Sequence, residues 1–348
     1  MPAAAVRPKV LAIVYDPRVR SEGDRSLVEV CGYHRPELLM QAYAADLAAA
    51  SDGYVTYQVV RTVTVDAFPR KADGFTYDAE TFLRCLRARG GWHEPDAVRY
   101  HVIEWLDSDE FPIKRDGFRY TADTYLRCWS GAEPWHQPDA VDYHAIFRRY
   151  AIPERIERDQ VDEVWLMGFP YAGFWESTMA GNGAYFCNAD PIPGVPCSRR
   201  FVVMGFNYER GVGEMLEDFG HRVESIMARV YGSWWAWGSW KGHAWDRFTL
   251  YDLVAPEEAA CGNVHFAPNS ERDYDWGNPR PVWSTCDDWL SYPRLTGRKR
   301  LVDCREWGGG DIRAHHLWWL AHLPRADGAS GGVLNNWWTY VVDPNETP

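Results

Sequence analysis

The first two thirds of the chain contain short apolar runs that end at glycine or at polar residues. Four of these runs, at residues 9–15, 57–65, 162–168 and 201–205, have the length and composition of strands. A helical pattern over residues 35–50 follows the first run. This alternation predicts an α/β fold in which helices cover a mostly parallel sheet.

Residues 56–98 and 99–141 form a 43-residue tandem repeat, because they align without gaps and about half of their positions are identical. Each unit is predicted to contain a strand, an Asp-Gly turn, a short helix and a Trp-His-x-Pro-Asp loop. A further strand is predicted to start at residues 143–146. Two copies are too few for a solenoid, so we interpret the repeat as an architectural insert. Two similar ligand contacts by the duplicated Trp-His pairs are the alternative.

From about residue 232 the pattern changes to a loop-rich segment that is dense in Trp, Asn, Asp and Pro. The prediction is an α/β domain over residues 1–231 that contains the repeat, with residues 232–348 packed on it; one single domain is the alternative. Most of the 19 tryptophans should build core. Neighbouring side chains diverge on a strand or helix, so adjacent pairs such as Trp337 and Trp338 should expose some rings.

The helix predicted after residues 201–205 carries a stripe of chemically active side chains. At 100° per residue, Glu217, His221 and Glu224 lie within about 60° of one another, and Glu214 lies at the edge of the stripe. Such a stripe could hold a divalent metal or perform acid–base chemistry. A solvated helix face and a buried ion-pair network are the alternatives.

Two glycines in this helix favour a functional stripe. Each of Gly213 and Gly220 costs about 1 kcal/mol relative to alanine in a helix interior. They make sense if something must approach the helix closely. The like-charged carboxylates also repel one another unless a cation or another partner neutralises them.

Polar residues just beyond the predicted strands should lie at the carboxyl edge of the sheet, where such folds bind ligands. These residues are Asp16, Tyr171, Glu176 and the segment 207–209, which includes Glu209. Paired carboxylates such as Glu176 and Glu209 could instead serve a metal-free glycosidase. The sequence contains no dinucleotide-binding or phosphate-binding glycine loop.

Further candidate ligands lie in the last third of the chain. His265 is in a tight turn and is predicted to be a metal ligand. His315 and His322 would share one face if their run is helical, and either could complete a site with His221. Asp273 and Asp275 resemble part of a calcium loop, for which a cluster of Asx turns is the alternative.

The formal net charge of −12 argues against nucleic acid and anionic membranes as partners. No apolar run approaches the roughly 20 residues that span a bilayer. The eight cysteines include no CxxC pair, which argues against a zinc ribbon, and a short disulfide would fit between Cys187 and Cys197. We expect an extracellular protein whose leader is absent from this numbering, with a cytoplasmic protein containing free thiols as the alternative.

Several segments resemble an uncharacterised family of bacterial, mostly secreted proteins. They lie within residues 162–222, at 263–270 and at 335–338, and the resemblance implies secretion and one family over most of the chain, but no activity. In addition, Glu217-Asp-Phe-Gly-His221 is similar to the His-Glu-x-x-His helix of zincin-type metallopeptidases. That similarity implies that His221 is a zinc ligand, that Glu217 replaces the first histidine and that Asp218 stands at the general base.

Together these features predict a secreted metal-dependent hydrolase that acts on peptide or glycan. The metal, for which zinc is our choice, would be held by Glu217, His221, Glu224 and His265. Asp218, Glu214 or Glu209 would accept the proton of a metal-bound water. The alternative is a non-catalytic extracellular protein that binds glycan or self-associates through a Trp-rich surface.

Overall fold

A computed structural model describes residues 5–86, 114–121, 124, 127, 128, 131–170 and 172–348. The strands are β1 (Lys9–Tyr15), β2 (Arg18–Val19), β3 (Arg25–Ser26), β4 (Gln58–Val65), β5 (Glu163–Gly168), β6 (Ser177–Ala180), β7 (Phe201–Asn207), β8 (Val282–Ser284), β9 (Arg300–Val302), β10 (Arg325–Ser330) and β11 (Val333–Asn336). The α-helices are α1 (Leu27–Cys31), α2 (Pro36–Ala50), α3 (Ala79–Leu86), α4 (Tyr143–Tyr150), α5 (Ile152–Glu157), α6 (Val212–Tyr231), α7 (Ala244–Phe248), α8 (Ile312–Ala321) and α9 (Trp337–Val342). Short 3₁₀ helices span Arg20–Glu22, Trp235–Trp237, Cys286–Ser291, Cys304–Trp307 and Pro344–Glu346.

The central sheet has five strands in the order β4-β1-β5-β7-β6. Strands β4, β1, β5 and β7 are parallel, and β6 runs antiparallel to β7. The prediction of an α/β fold with a mostly parallel sheet is confirmed. All six residues of β5 are buried, as expected for a strand in the middle of a sheet that is covered on both faces.

Two hydrophobic cores lie on opposite faces of the sheet, because successive side chains of a strand point in opposite directions. In β1, Val10, Ala12 and Val14 belong to the larger core. The residues between them, such as Leu11 and Ile13, belong to the smaller core beneath α4 and α5. The larger core also contains tryptophans of the last third of the chain, which are Trp234, Trp245, Trp276, Trp289, Trp307, Trp319, Trp337 and Trp338.

The strand predicted to start at residues 143–146 is wrong, because this segment is the beginning of α4. The Asp142 side chain accepts a hydrogen bond from the Ala145 N–H at 2.9 Å and caps the helix. Tyr143, Ile146 and Phe147 are buried, at a spacing that suits one face of a helix. The cap and the helical spacing therefore decide the local structure.

The tandem repeat is described only in part, because residues 87–113, which include Trp92 and His93 of the first unit, lie outside the described residues. The two Asp-Gly turns have the same hydrogen bond. Phe75 N–H donates to Asp73 Oδ1 at 2.9 Å, and Phe118 N–H donates to Asp116 Oδ1 at 3.0 Å. The structural role of the repeat stays a prediction.

The expectation that adjacent tryptophans expose a ring is wrong for Trp337 and Trp338, which are both fully buried. Consecutive side chains of a helix point in different directions, but other residues of the hydrophobic core cover both sides of α9. Trp337 packs on Phe248 with centroids 5.4 Å apart, and Trp338 stacks on Phe219. Exposed rings come from elsewhere, since Trp175, Trp237, Trp240 and Trp283 are each about half exposed.

The structure describes seven cysteine side chains, all of them buried and none in a disulfide, so the disulfide expected between Cys187 and Cys197 is not formed in it. Burial raises the pKa of both thiols to about 11. Among the described residues, no helix is both long enough and apolar enough to cross a membrane.

Candidate metal centre

Helix α6 starts five residues beyond β7 and presents the predicted stripe. Its first turn is closed by Glu214, whose Oε2 accepts a hydrogen bond from the Gly211 N–H at 3.0 Å. Glu214 Oε1 also lies 3.5 Å from Arg210 Nη1. Glu214 therefore stabilises the start of the helix.

The two glycines of α6 admit other parts of the chain. A Cβ atom on Gly220 would lie 2.6 Å from Val264 Cγ2, and one on Gly213 would lie 2.5 Å from Ile312 Cγ2. The close approach inferred from the glycines is therefore made by the segment around Val264 and by α8. Because His265 follows Val264, the contact at Gly220 brings this histidine against the stripe.

The loop that carries His265 is a tight, hydrogen-bonded turn. Asn263 Oδ1 accepts the N–H groups of His265 and Phe266 at 3.1 and 3.0 Å. Gly262 has a φ of +71°, and a Cβ atom there would lie 2.0 Å from the Phe266 carbonyl oxygen. Only glycine fits this position, so the turn that places His265 is fixed by local sequence.

Glu217, His221 and His265 bring three ligand atoms together. His221 Nε2 lies 3.1 Å from His265 Nε2, and Glu217 Oε1 lies 3.3 Å from His265 Nε2 and 4.0 Å from His221 Nε2. Zinc bonds of about 2.0–2.1 Å in a tetrahedron require ligand atoms about 3.3 Å apart. Two of the three separations are close to this value, and the third would have to shorten by about 0.7 Å for all three atoms to bind one ion.

The other nitrogen of each imidazole lies against a carboxylate. His221 Nδ1 is 3.0 Å from Glu224 Oε2, and His265 Nδ1 is 3.1 Å from Asp273 Oδ1. A carboxylate accepts hydrogen bonds, so each Nδ1 carries a proton and each Nε2 is the nitrogen that faces the cluster. Metal-binding histidines are usually held in this way.

These contacts change the roles expected for two acids. Glu224 was predicted to be a ligand, but its Oε1 accepts the Val264 N–H at 3.1 Å while its Oε2 holds His221. Asp273 was predicted to share a calcium ion with Asp275. In the structure Asp275 Oδ2 instead accepts hydrogen bonds from the Glu271 N–H and from Asn278 Nδ2, at 3.0 and 2.9 Å.

Tyr274 is a member of the cluster that the sequence did not reveal. Its hydroxyl lies 3.0 Å from Glu217 Oε1 and 3.0 Å from His265 Nε2. Its side chain is about half exposed, so it forms the outer wall of the site. The only signal for Tyr274 in the sequence is its position between Asp273 and Asp275, the two acids that resemble part of a calcium loop.

The remaining histidine candidates lie elsewhere. His322 is 3.9 Å from Asp287, away from the stripe, and His315 is buried with its ring stacked on Trp276. Neither completes the site. His316 is the histidine of α8 that interacts electrostatically with Glu217, His221 and His265. Its Nδ1 donates to the Ile312 carbonyl at 2.7 Å, and its buried Nε2 has no hydrogen-bond partner among the described residues.

The pKa values follow the crowding of acids around the cluster. Burial disfavours the charged form of His221, but the bond to Glu224 and the nearby Glu176 and Glu217 outweigh burial and raise its pKa to about 9. Burial by itself would raise the pKa of Glu217. His265, His316 and Tyr274 more than offset that effect and hold its pKa below the ordinary value.

The cluster lies at one wall of a cleft with a volume of about 450 Å³ at the carboxyl ends of β5 and β7. The cleft is lined by charged and polar groups, which include Asp139, Glu176, Arg210, Glu214, Glu217, Asp218 and Tyr274. Burial and the neighbouring Glu176 and Glu217 raise the pKa of Asp218 well above its ordinary value. The edge of the sheet is therefore strongly acidic at this point.

Other predicted edge residues have different surroundings. Glu209 is buried outside the lining of this cleft, where burial raises its pKa to about 8. Asp16 Oδ1 accepts the Val28 N–H at 3.0 Å. Glu176 lines the cleft and accepts a hydrogen bond from Asn188, whereas Tyr171 lies outside the described residues.

Comparison of the chain with models of protein families, with curated proteins and with solved structures finds no match. Its function therefore has to be inferred from the chemistry of the site.

Proposed function

We propose that this protein is a metal-dependent hydrolase whose divalent metal is held by Glu217, His221 and His265. The convergence of one carboxylate oxygen and two imidazole Nε2 atoms carries the proposal. Zinc suits this mixture of nitrogen and oxygen ligands. Three protein ligands also leave a fourth position for water, which is the arrangement of catalytic rather than structural zinc sites.

The number of protons in the cluster supports a cation at this place. Glu217 Oε1 and the two Nε2 atoms are all acceptors, and the Tyr274 hydroxyl can donate to only one of them at a time. Without a metal, the separation of 3.1 Å between the two Nε2 atoms requires an additional proton on one imidazole. The raised pKa of His221 is consistent with that proton, which a metal ion would replace.

The site residues can be assigned roles in hydrolysis. A divalent metal in this position would lower the pKa of a bound water to about 7 and polarise a substrate carbonyl. Asp218 follows Glu217 and lines the same cleft. Burial and the neighbouring acids raise the pKa of its carboxyl well above the ordinary value, and a divalent metal at Glu217 would oppose that rise, so that the carboxylate could take the proton of the attacking water. The Tyr274 hydroxyl, which lies 3.0 Å from Glu217 Oε1, would be able to donate a hydrogen bond to a substrate oxygen that gains negative charge.

Three acids from the sequence prediction receive other roles in this proposal. Glu224 orients His221 as its hydrogen-bonded carboxylate. Glu214 closes the first turn of α6, although it also lines the cleft. Glu209 lies outside the cleft lining and takes no part. The same position of Glu209 weighs against a metal-free glycosidase that would pair it with Glu176.

The shape and charge of the cleft limit the substrate. Its volume of about 450 Å³ is within the range of small-molecule sites and admits a short part of a longer chain. Five carboxylates and one arginine line it, which favours a neutral or cationic group over an anionic one. A peptide segment or a neutral glycan satisfies both conditions, and an extracellular location stays a prediction.

Metal stoichiometry and turnover test the proposal. Protein stripped with a chelator and dialysed against Zn²⁺ should bind one equivalent at the site and then cleave members of a peptide or glycan panel. His221→Gln and His265→Gln should lose that equivalent and the turnover. The exposed His34 gives the matched control, His34→Gln, which should keep both. If the reconstituted wild-type protein binds no metal at Glu217, His221 and His265, the proposal is wrong.

A second candidate function, glycan binding without catalysis, is favoured by a separate cleft of about 890 Å³. Trp235 and Trp240 line it together with Arg247 and Glu258, and such rings can stack on sugars. Glycan-array binding that is lost in Trp240→Ala would support this function. Trp283→Ala is the control, because Trp283 is similarly exposed but lies outside the lining.

A further inference from the structure

A second group of metal-ligating side chains lies in the last third of the chain. Cys286 and Asp287 begin the 3₁₀ helix that follows β8, and His322 is the residue just after α8. One ligand atom from each of the three lies within 4.8 Å of the other two. The residues come from segments that are 35 positions apart in sequence, so the fold and not a local motif brings them together.

The distances in this group suit a tetrahedral metal. Cys286 Sγ is 3.6 Å from Asp287 Oδ1, and His322 Nε2 is 3.9 Å from the same oxygen. A zinc–sulfur bond of about 2.3 Å and nitrogen or oxygen bonds of about 2.1 Å give ligand separations of about 3.3–3.6 Å. Cys286 Sγ and His322 Nε2 lie within 4.8 Å of each other, so binding one ion would require these two atoms to approach by up to about 1 Å.

His322 is oriented as a metal ligand. Its Nδ1 donates to the Trp318 carbonyl at 2.7 Å, so the lone pair of Nε2 is directed toward Asp287 and Cys286. The ring lies against Trp318 with centroids 4.3 Å apart, and the residue is 7% exposed.

We propose that Cys286, Asp287 and His322 form a second site, which binds a divalent transition metal such as zinc and ties the end of α8 to the loop after β8. Cys286 is fully buried and His322 is 7% exposed, which favours a role in holding the fold over one in binding a substrate, and the three protein ligands would leave the fourth position to a water. Such a tie would hold a segment that has no disulfide among its described residues. The site is independent of the hydrolase proposal.

Arg300 is compatible with this assignment. It donates to Asp287 from Nε at 2.5 Å and from Nη2 at 2.9 Å, and it also pairs with Glu306. Ligating carboxylates are commonly held by such second-layer hydrogen bonds. A divalent ion with the Cys286 thiolate and the Asp287, Glu306 and Arg300 charges gives a net charge of zero. Metal binding must release the thiol proton, because burial raises the pKa of Cys286 to about 11 in the metal-free protein.

Cobalt substitution tests the second site with the full-length protein. Co²⁺ added to metal-free wild-type protein should produce a thiolate-to-cobalt charge-transfer band in the near ultraviolet. Cys286→Ser and His322→Gln should each lose that band and one equivalent of cobalt. Cys304→Ser, which changes another buried thiol of the same segment, should keep both.

The variants also separate the two proposed sites. His221→Gln should lose the other equivalent and keep the band, so failure of one proposal leaves the other standing. The absence of the band in wild-type protein, or a band that survives both Cys286→Ser and His322→Gln, would overturn the second site. X-ray absorption of zinc-loaded wild-type protein gives a measurement that needs no variant, since a sulfur ligand at about 2.3 Å is required and its absence refutes the assignment.

Discussion

Neighbouring residues of α6 take part in two polar clusters with opposite properties. Arg222 is fully buried and its Nη1 lies 2.7 Å from Glu163 Oε2. Glu163 also accepts hydrogen bonds from Trp165 Nε1 and the Tyr57 hydroxyl, at 2.8 and 3.2 Å. His221, one position earlier, belongs instead to a cluster in which Glu217 and two imidazole lone pairs meet beside an open cleft.

The difference between the clusters separates a structural network from a candidate functional one. Around Glu163 each negative oxygen has donors, and the charge of Arg222 balances the carboxylate. Around His221 the acceptors all have donors only when the imidazole carries an additional proton, and acids surround it. A buried network that only stabilises the fold is expected to be balanced, whereas an excess of acceptors at a cleft calls for a cation.

The largest expected effect is on the balanced cluster. Arg222→Leu leaves the Glu163 carboxylate buried without its charge partner, which should reduce the free energy of unfolding by about 3–5 kcal/mol. Urea unfolding measures this change. The double variant Glu163→Gln, Arg222→Met should recover most of it, because the amide keeps an acceptor for Trp165 without a buried charge. If the double variant does not recover the free energy of unfolding, the loss in Arg222→Leu comes from packing and not from the unpaired charge of Glu163.

The second expected effect is a strong pH dependence of the His221 cluster. Metal must displace the proton of His221, so Zn²⁺ affinity should rise up to tenfold per pH unit and level off above about pH 9, a change of about 300-fold from pH 6.5. Competition with a chromophoric chelator measures it. An affinity that is constant over this range would show that no proton is displaced.

The same pKa gives a prediction for the metal-free protein. The folded-state pKa of His221 is raised above the unfolded value, so its contribution to stability is complete below about pH 6.5 and is lost as the pH rises through 9. Up to roughly 3 kcal/mol should disappear over this interval. His221→Gln should remove that part of the pH dependence, which urea unfolding at several pH values would reveal.

A smaller effect is expected from the acids that hold the imidazoles. Glu224→Gln keeps the shape of the side chain but weakens its hold on His221 Nδ1, and should lower Zn²⁺ affinity by about 10–100-fold. Asp273→Asn should lie at the low end of that range, because Asp273 is about half exposed. If neither change lowers Zn²⁺ affinity, the proposal that Glu224 and Asp273 orient the two imidazoles as metal ligands is wrong.

The smallest expected effect tests how the fold positions His265. Gly220→Ala gains about 1 kcal/mol of helix propensity but crowds Val264, at a cost of about 1–3 kcal/mol. The net loss of stability should be up to about 2 kcal/mol, with a loss of metal affinity. Gly213→Ala makes a similar clash with Ile312 away from His265, so it should reduce stability and leave metal affinity unchanged.

The principal strands of the sheet and the stripe on α6 could be predicted because they depend on local periodicity. The start of α4 could not be separated from a strand, since the run beginning at Tyr143 is apolar enough for both and the capping bond from Asp142 decides. The burial of both Trp337 and Trp338 could not be predicted either, because it requires knowledge of what packs on each side of α9.

The sequence by itself determined that Glu217, His221 and Glu224 share one face of a helix, and that glycines open this helix to close neighbours. Only the tertiary structure determines which residues pack against this helix. In the folded chain His265 and Tyr274 lie beside Glu217, and Glu224 contacts His221 Nδ1. His322 lies near Asp287 instead. Helical spacing is a property of consecutive residues, whereas the convergence of lone pairs depends on packing between segments far apart in the chain.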